Sequence, residues 1–144
     1  MQSRIINESP QRTFALSFPT GDEIVSKLTS FARQYDVTAA AFTGLGALSD
    51  LVLGYFDWQT KRYHHIKINE QVEAVSFLGN FALDEQGRPS VHPHIVVSKR
   101  DGTAYGGHLI EGHARPIIEV IVTEQPTYLQ RRHDPESGLA LIRL

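Results

Sequence analysis

Only one stretch of this chain, residues 20–36, carries helical periodicity, and that limits what the remainder can become. Ile24, Leu28, Phe31 and Tyr35 recur at i, i+4, i+7 and i+11, one apolar stripe along an amphipathic helix. Ahead of it, Thr20-Gly21-Asp22-Glu23 has the form of a capping box, with Thr20 accepting from the Glu23 amide while Glu23 reaches back. The helix is expected to stop near Asp36, before β-branched Val37-Thr38. Segments 13–18, 39–43, 51–58, 63–68, 72–83, 91–98, 103–109 and 117–123 read as strands. Turn chemistry separates most of them, at 57–61, 84–89, Arg100-Asp101-Gly102 and Glu111-Gly112, while Gly44-Leu45-Gly46 suggests a bulge or a close backbone approach. The tail, 130–144, is a polar turn around 134–138 followed by apolar 139–142. Links this short favour antiparallel pairing, since parallel crossovers need roughly a dozen residues or more. The expected fold class is α+β, a largely antiparallel β-sheet packed by one main α-helix.

Composition narrows the function classes. The 144 residues are about one domain's worth, expected to span 1–144. Fourteen basic against sixteen acidic residues give a net charge of −2, which argues against a chain built to coat nucleic acid or anionic membrane. No apolar run approaches the roughly 20 residues that span a bilayer. The first residues turn acidic at Glu8 before any apolar signal core forms. With no cysteine there is neither a disulfide framework nor a thiolate site, so any metal is held by His, Asp or Glu. The expectation is a cytoplasmic protein with no membrane partner.

Seven histidines are present, and their placement matters more than their number. His92 and His94 flank Pro93 within one strand segment, so alternation sends both to one face. His108 follows Gly106-Gly107 on the next segment, and hairpin register decides whether it joins them. A two-residue turn at Asp101-Gly102 sets His108 opposite Ile95 and on the other face. A three-residue loop, Arg100-Asp101-Gly102 with Gly102 left-handed, sets it opposite His94 with Cβ atoms roughly 5 Å apart. A bulge at the paired glycines gives the same outcome by another route.

Three imidazoles on one sheet face make a ready site for a divalent metal, zinc foremost, with neutral nitrogen ligands and an open fourth position for a small-molecule ligand. His64 and His65 point to opposite strand faces and cannot chelate as a pair; both read as exposed. His113 and His133 fall in turns, His113 within reach of the site. Glu119, embedded in Ile117-Ile118-Glu119-Val120-Ile121-Val122, either faces solvent or hydrogen-bonds a ligating imidazole and fixes its tautomer. Glu73 poses the same alternative.

In chain order, Gly44-Leu45-Gly46-Ala47-Leu48, Leu53-Gly54-Tyr55-Phe56-Asp57, Glu73 through Leu78-Gly79-Asn80, His92-Pro93-His94, Gly106-Gly107-His108-Leu109 and Glu119-Val120-Ile121-Val122 resemble the PPC domain of plants and prokaryotes. The resemblance covers almost the whole chain. It implies a compact α+β domain that assembles as a homotrimer. It also implies that prokaryotic members hold a metal, zinc, through histidines matching His92, His94 and His108. The family carries a DNA-binding label, so a DNA-binding or transcription-regulatory protein is the alternative function. The plant relatives carry a separate AT-hook with an Arg-Gly-Arg-Pro core. Here Gln86-Gly87-Arg88-Pro89 lacks the first Arg and is no hook. Glu70 and Gln71 replace the Gly and Arg of the plant partner-binding segment, which argues against plant-type nuclear partners. The basic doublets Lys61-Arg62, Lys99-Arg100 and Arg131-Arg132 read as solvated turns.

Overall fold

The amphipathic stripe folds as a helix, and nearly everything else in the chain is strand. The structure is a computed structural model describing residues 1–7, 11–126 and 128–143. Helix α1 spans Ile24–Gln34 and buries Ile24, Leu28, Phe31 and Ala32. Its cap is Glu23, whose carboxylate accepts from the amides of Val25 and Ser26 at 3.0 and 2.6 Å. Thr20 does not cap it; the Thr20 hydroxyl donates to the Pro116 carbonyl at 3.0 Å. The physical reason is that Gly21 and Asp22 are tied to Ala114 by backbone hydrogen bonds, which hold 20–22 against the sheet. Tyr35 closes the helix and Asp36 is left-handed (φ 50°), where the sequence places the stop.

The described strands are β1 (Gln2–Asn7), β2 (Thr13–Pro19), β3 (Ala39–Asp57), β4 (Arg62–Ile68), β5 (Val72–Leu83), β6 (Pro89–Ser98), β7 (Ala104–Glu124), β8 (Gln130–His133) and β9 (Ala140–Arg143). Pairing is antiparallel except for a parallel contact of β5 with β8 at Leu83 and Gln130. The fold is therefore α+β with a largely antiparallel sheet, as expected. Two segments are longer than expected. Segments 39–43 and 51–58 are one strand, β3, and 103–109 and 117–123 are one strand, β7. Glu111-Gly112 is thus no turn. Gly112 sits inside β7 because a Cβ there would stand 2.9 Å from Leu48 Cδ2. The expected irregularity at Gly44-Leu45-Gly46 is present as a register shift between Gly44 and Gly46. A Cβ on Gly46 would meet the Ile117 carbonyl oxygen at 2.2 Å.

Strand β3 pairs with β5 and β7, and β6 pairs with β5 and β7, so these four strands form a closed circuit. Alternation on β6 then separates two faces. Pro93, Ile95 and Val97 are buried inside, while His94 and Val96 face out. The inner face and α1 share one apolar core containing Phe14, Phe31, Phe42, Phe77 and Phe81. Phe14 meets Phe31 edge-on at 5.0 Å, and Phe42 meets Phe77 likewise at 5.1 Å. On the outer face one cross-strand row runs through Ile121, Thr43, Leu78, His94 and His108. Among the described residues, no helix is long and apolar enough to cross a membrane.

Candidate metal centre

The β6–β7 hairpin has the three-residue loop. The Lys99 amide donates to the Thr103 carbonyl at 2.9 Å, the Gly102 amide to the Lys99 carbonyl at 2.9 Å, and Gly102 is left-handed (φ 84°). Pairing then runs unbroken from Ser98–Ala104 to His94–His108, so no bulge at Gly106-Gly107 is involved. Gly107 is needed for a different reason: a Cβ there would lie 2.8 Å from the Gly54 carbonyl oxygen.

This register brings the three histidines together on the outer face. Their ring centroids are 5.0 Å (His92–His94), 5.1 Å (His92–His108) and 5.4 Å (His94–His108) apart. One ring nitrogen from each falls within 4.8 Å of the others. His92 Nε2 and His94 Nε2 are 3.2 Å apart. Burial, the neighbouring imidazoles of His108 and His94, and the charge of Arg131 push the His92 pKa down to about 4. Burial and His94 lower that of His108. Both rings are therefore held neutral, the form in which imidazole ligates a metal. His108 Nδ1 is buried with no hydrogen-bond partner among the described residues. An orphaned buried nitrogen beside two other imidazoles is a donor set suited to a borderline-soft divalent cation.

The other sequence-derived candidates lie elsewhere in this chain. Glu119 is exposed and paired with Leu45 and Ser17, eleven positions beyond His108, or roughly 35 Å along an extended strand. Glu73 is exposed opposite Ser98, four positions from His94. Neither meets the cluster, because each is carried past it along its own strand. His113 is in β7 rather than a turn, and its Nδ1 lies 2.8 Å from Asp50 Oδ1. His64 and His65 are exposed on β4, and His133 is exposed on β8.

Three residues around the cluster escape a reading by local pattern. Tyr63 of β4 lays its ring 5.4 Å from that of His108. Asn80 stands opposite His92 on β5. Arg131 is not in a solvated turn but buried on β8, 6% exposed, where it hydrogen-bonds Asn80 and Ser90. The only local signal for it is strand alternation within the doublet, which turns Arg131 in and Arg132 out.

Known proteins share this architecture. A metal-containing protein of Archaeoglobus fulgidus superposes with a TM-score of 0.85 at 27% identity, covering 99% of this chain and 97% of its own. A Ralstonia eutropha JMP134 protein, named as a DNA-binding candidate, gives 0.84 at 28% identity over 94% of this chain and 93% of its own. The bifunctional protein GlmU of Synechococcus sp. (strain JA-3-3Ab) is 28% identical over 130 residues, covering 88% of this chain and 20% of that protein. This chain therefore spans about a fifth of the length of the curated relatives it matches. The sequence also matches the profile of the Plants and Prokaryotes Conserved (PCC) domain over residues 6–126, and the chain belongs to that family.

Proposed function

We propose that this chain is an intracellular metal-binding protein that holds one divalent cation, zinc, through His92, His94 and His108. The observation that carries the reading is the convergence of three ring nitrogens within 4.8 Å on the β6–β7 hairpin. The orphaned His108 Nδ1 and the neutral state of His92 support it, as does the metal-containing relative. When bound, such a cation supplies Lewis acidity to a small ligand that reaches it. The protein's own part is to fix three imidazole donors in place before the metal arrives. The test is metal analysis of purified protein: one zinc per chain is expected, and absence of any stoichiometric divalent metal refutes the reading.

The functional unit in this reading is a homotrimer over 1–144. Leu45 (61% exposed), Leu78 (50%), Ile121 (44%) and Val96 (40%) leave the outer face apolar, more than a free sheet face usually shows. Light scattering at micromolar concentration is expected to return three times 16.1 kDa, and a monomer mass refutes it. DNA binding is expected to be weak and non-specific. Arg12, Lys27, Arg88, Lys99 and Arg143 are each ion-paired with a carboxylate, and the chain is net negative. Sub-micromolar, sequence-selective binding in a gel shift at physiological salt would favour the DNA-binding alternative instead.

A further inference from the structure

The face that carries the histidines also carries a buried positive charge. Residues directly opposite one another in an antiparallel pair project to the same side. Asn80, opposite His92, and Ser90, two residues before it, therefore share the face of the cluster. Arg131 comes down onto this face from β8. Its Nη1 donates to Ser90 Oγ at 2.6 Å and to the Ser90 carbonyl at 3.3 Å, and Nη2 donates to the Asn80 side-chain oxygen. Longer contacts reach the Ala82 and Asn80 carbonyls, both at 3.5 Å. Every one of these acceptors is neutral. No carboxylate among the described residues reaches the guanidinium, although a buried charge is costly without a counter-ion. Through Asn80, its hydrogen-bond partner and the residue opposite His92, the guanidinium adjoins the cluster.

The same contact fixes Asn80. Arginine only donates, so the amide must turn its oxygen towards Arg131. Its Nδ2 donors are left without a partner among the described residues, beside His92. Around the three imidazoles, too, no carboxylate among the described residues makes a contact.

We propose that Arg131 and Asn80 make the histidine site a receptor for a small oxyanion, a carboxylate or phosphate group that the buried guanidinium balances and Asn80 Nδ2 donates to. The proposal rests on the reading of the histidines as a metal centre. A dication on three neutral ligands beside an uncompensated arginine leaves the face strongly positive, which selects an anionic ligand over a neutral one.

The experiment uses the full chain loaded with Co²⁺, whose visible spectrum changes when a ligand enters the coordination sphere. Acetate, inorganic phosphate and neutral imidazole are titrated in turn. A saturable change with either anion is expected. Asn80→Asp sets a carboxylate against Arg131 and cancels its charge in nearly the same shape. It should weaken anion binding at least tenfold while cobalt stoichiometry and the imidazole titration hold. Arg131→Met should do the same, and if it fails to fold, Asn80→Asp decides alone. Cobalt uptake with no response to either anion, or with anion affinity unchanged in Asn80→Asp, overturns this proposal alone. Failure of the wild-type chain to take up cobalt overturns the metal reading and this proposal together.

Discussion

His108 and His113 stand five positions apart on β7 in opposite electrical surroundings. His108 faces two imidazoles and the Tyr63 ring, and its buried Nδ1 is unpartnered among the described residues. His113 bonds Asp50, and that bond, reinforced by the charges of Asp50, Glu111 and Glu23, raises its pKa above the usual histidine value. The strand supplies the same residue type twice. What β3 and β6 place opposite decides the chemistry: His94 across from His108, Asp50 across from His113. One histidine is biased towards the neutral form and available as a ligand, whereas the other is biased towards the protonated form by the carboxylate it bonds.

The contrast can be broken most sharply at the metal. His94→Ala should take zinc from one per chain to none, and His113→Ala should leave it at one. A His113→Ala protein that loses its zinc would erase the distinction between the two regions. His64→Ala, His65→Ala and His133→Ala should also retain full zinc.

A smaller effect sharpens the other half. Because the folded pKa of His113 is raised, its pairing with Asp50 stabilises the fold fully below the unfolded value of about 6.5. That contribution disappears as pH rises through the folded value. Asp50→Asn should therefore cost up to about 1 kcal/mol near pH 5.5 and almost nothing near pH 9, since both side chains are a third or more exposed. Denaturant unfolding at the two pH values checks this, and a cost that grows with pH would contradict the assignment.

The smallest change tests what holds the register. Gly102 is left-handed with open space around it, so Gly102→Ala meets backbone strain and no clash. About 1 kcal/mol of destabilisation is expected, with zinc stoichiometry unchanged. Loss of zinc would show that the loop, rather than the strand pairing, sets the histidine geometry.

How far the sequence could be read follows from the range of the interactions involved. The helix, the hairpin loop and the shared face of His92 and His94 depend on neighbours within a few positions, and local pattern exposes them. Pairing of His94 with His108 hung on whether the loop holds two residues or three, and local pattern allows both; the Lys99–Thr103 hydrogen bond of the folded hairpin decides it. Gly112 misled because glycine serves two purposes: it permits turns, and it permits close approach inside a strand, here against Leu48. Nothing local distinguishes them. Arg131 lies 51 positions from its partner Asn80, so its burial is a property of the assembled sheet. Glu119 sits in an apolar run yet faces solvent, because alternation along β7 turns Ile118 and Val120 inward.

The hairpin loop 99–103 has a further consequence for which changes the chain can tolerate. Its side chains contribute nothing to the core, so by contact alone it would rank among the most replaceable segments. Its length is another matter. Inserting or deleting one residue would rotate the start of β7 by half a pleat, turning His108 towards the core and bringing fully buried Leu109 to the surface. Apart from Gly102 and Asp101, whose carboxylate accepts from the Thr103 amide at 2.9 Å, point substitutions there should be better accepted than single-residue insertions and deletions, which makes this a loop whose count is more constrained than its composition.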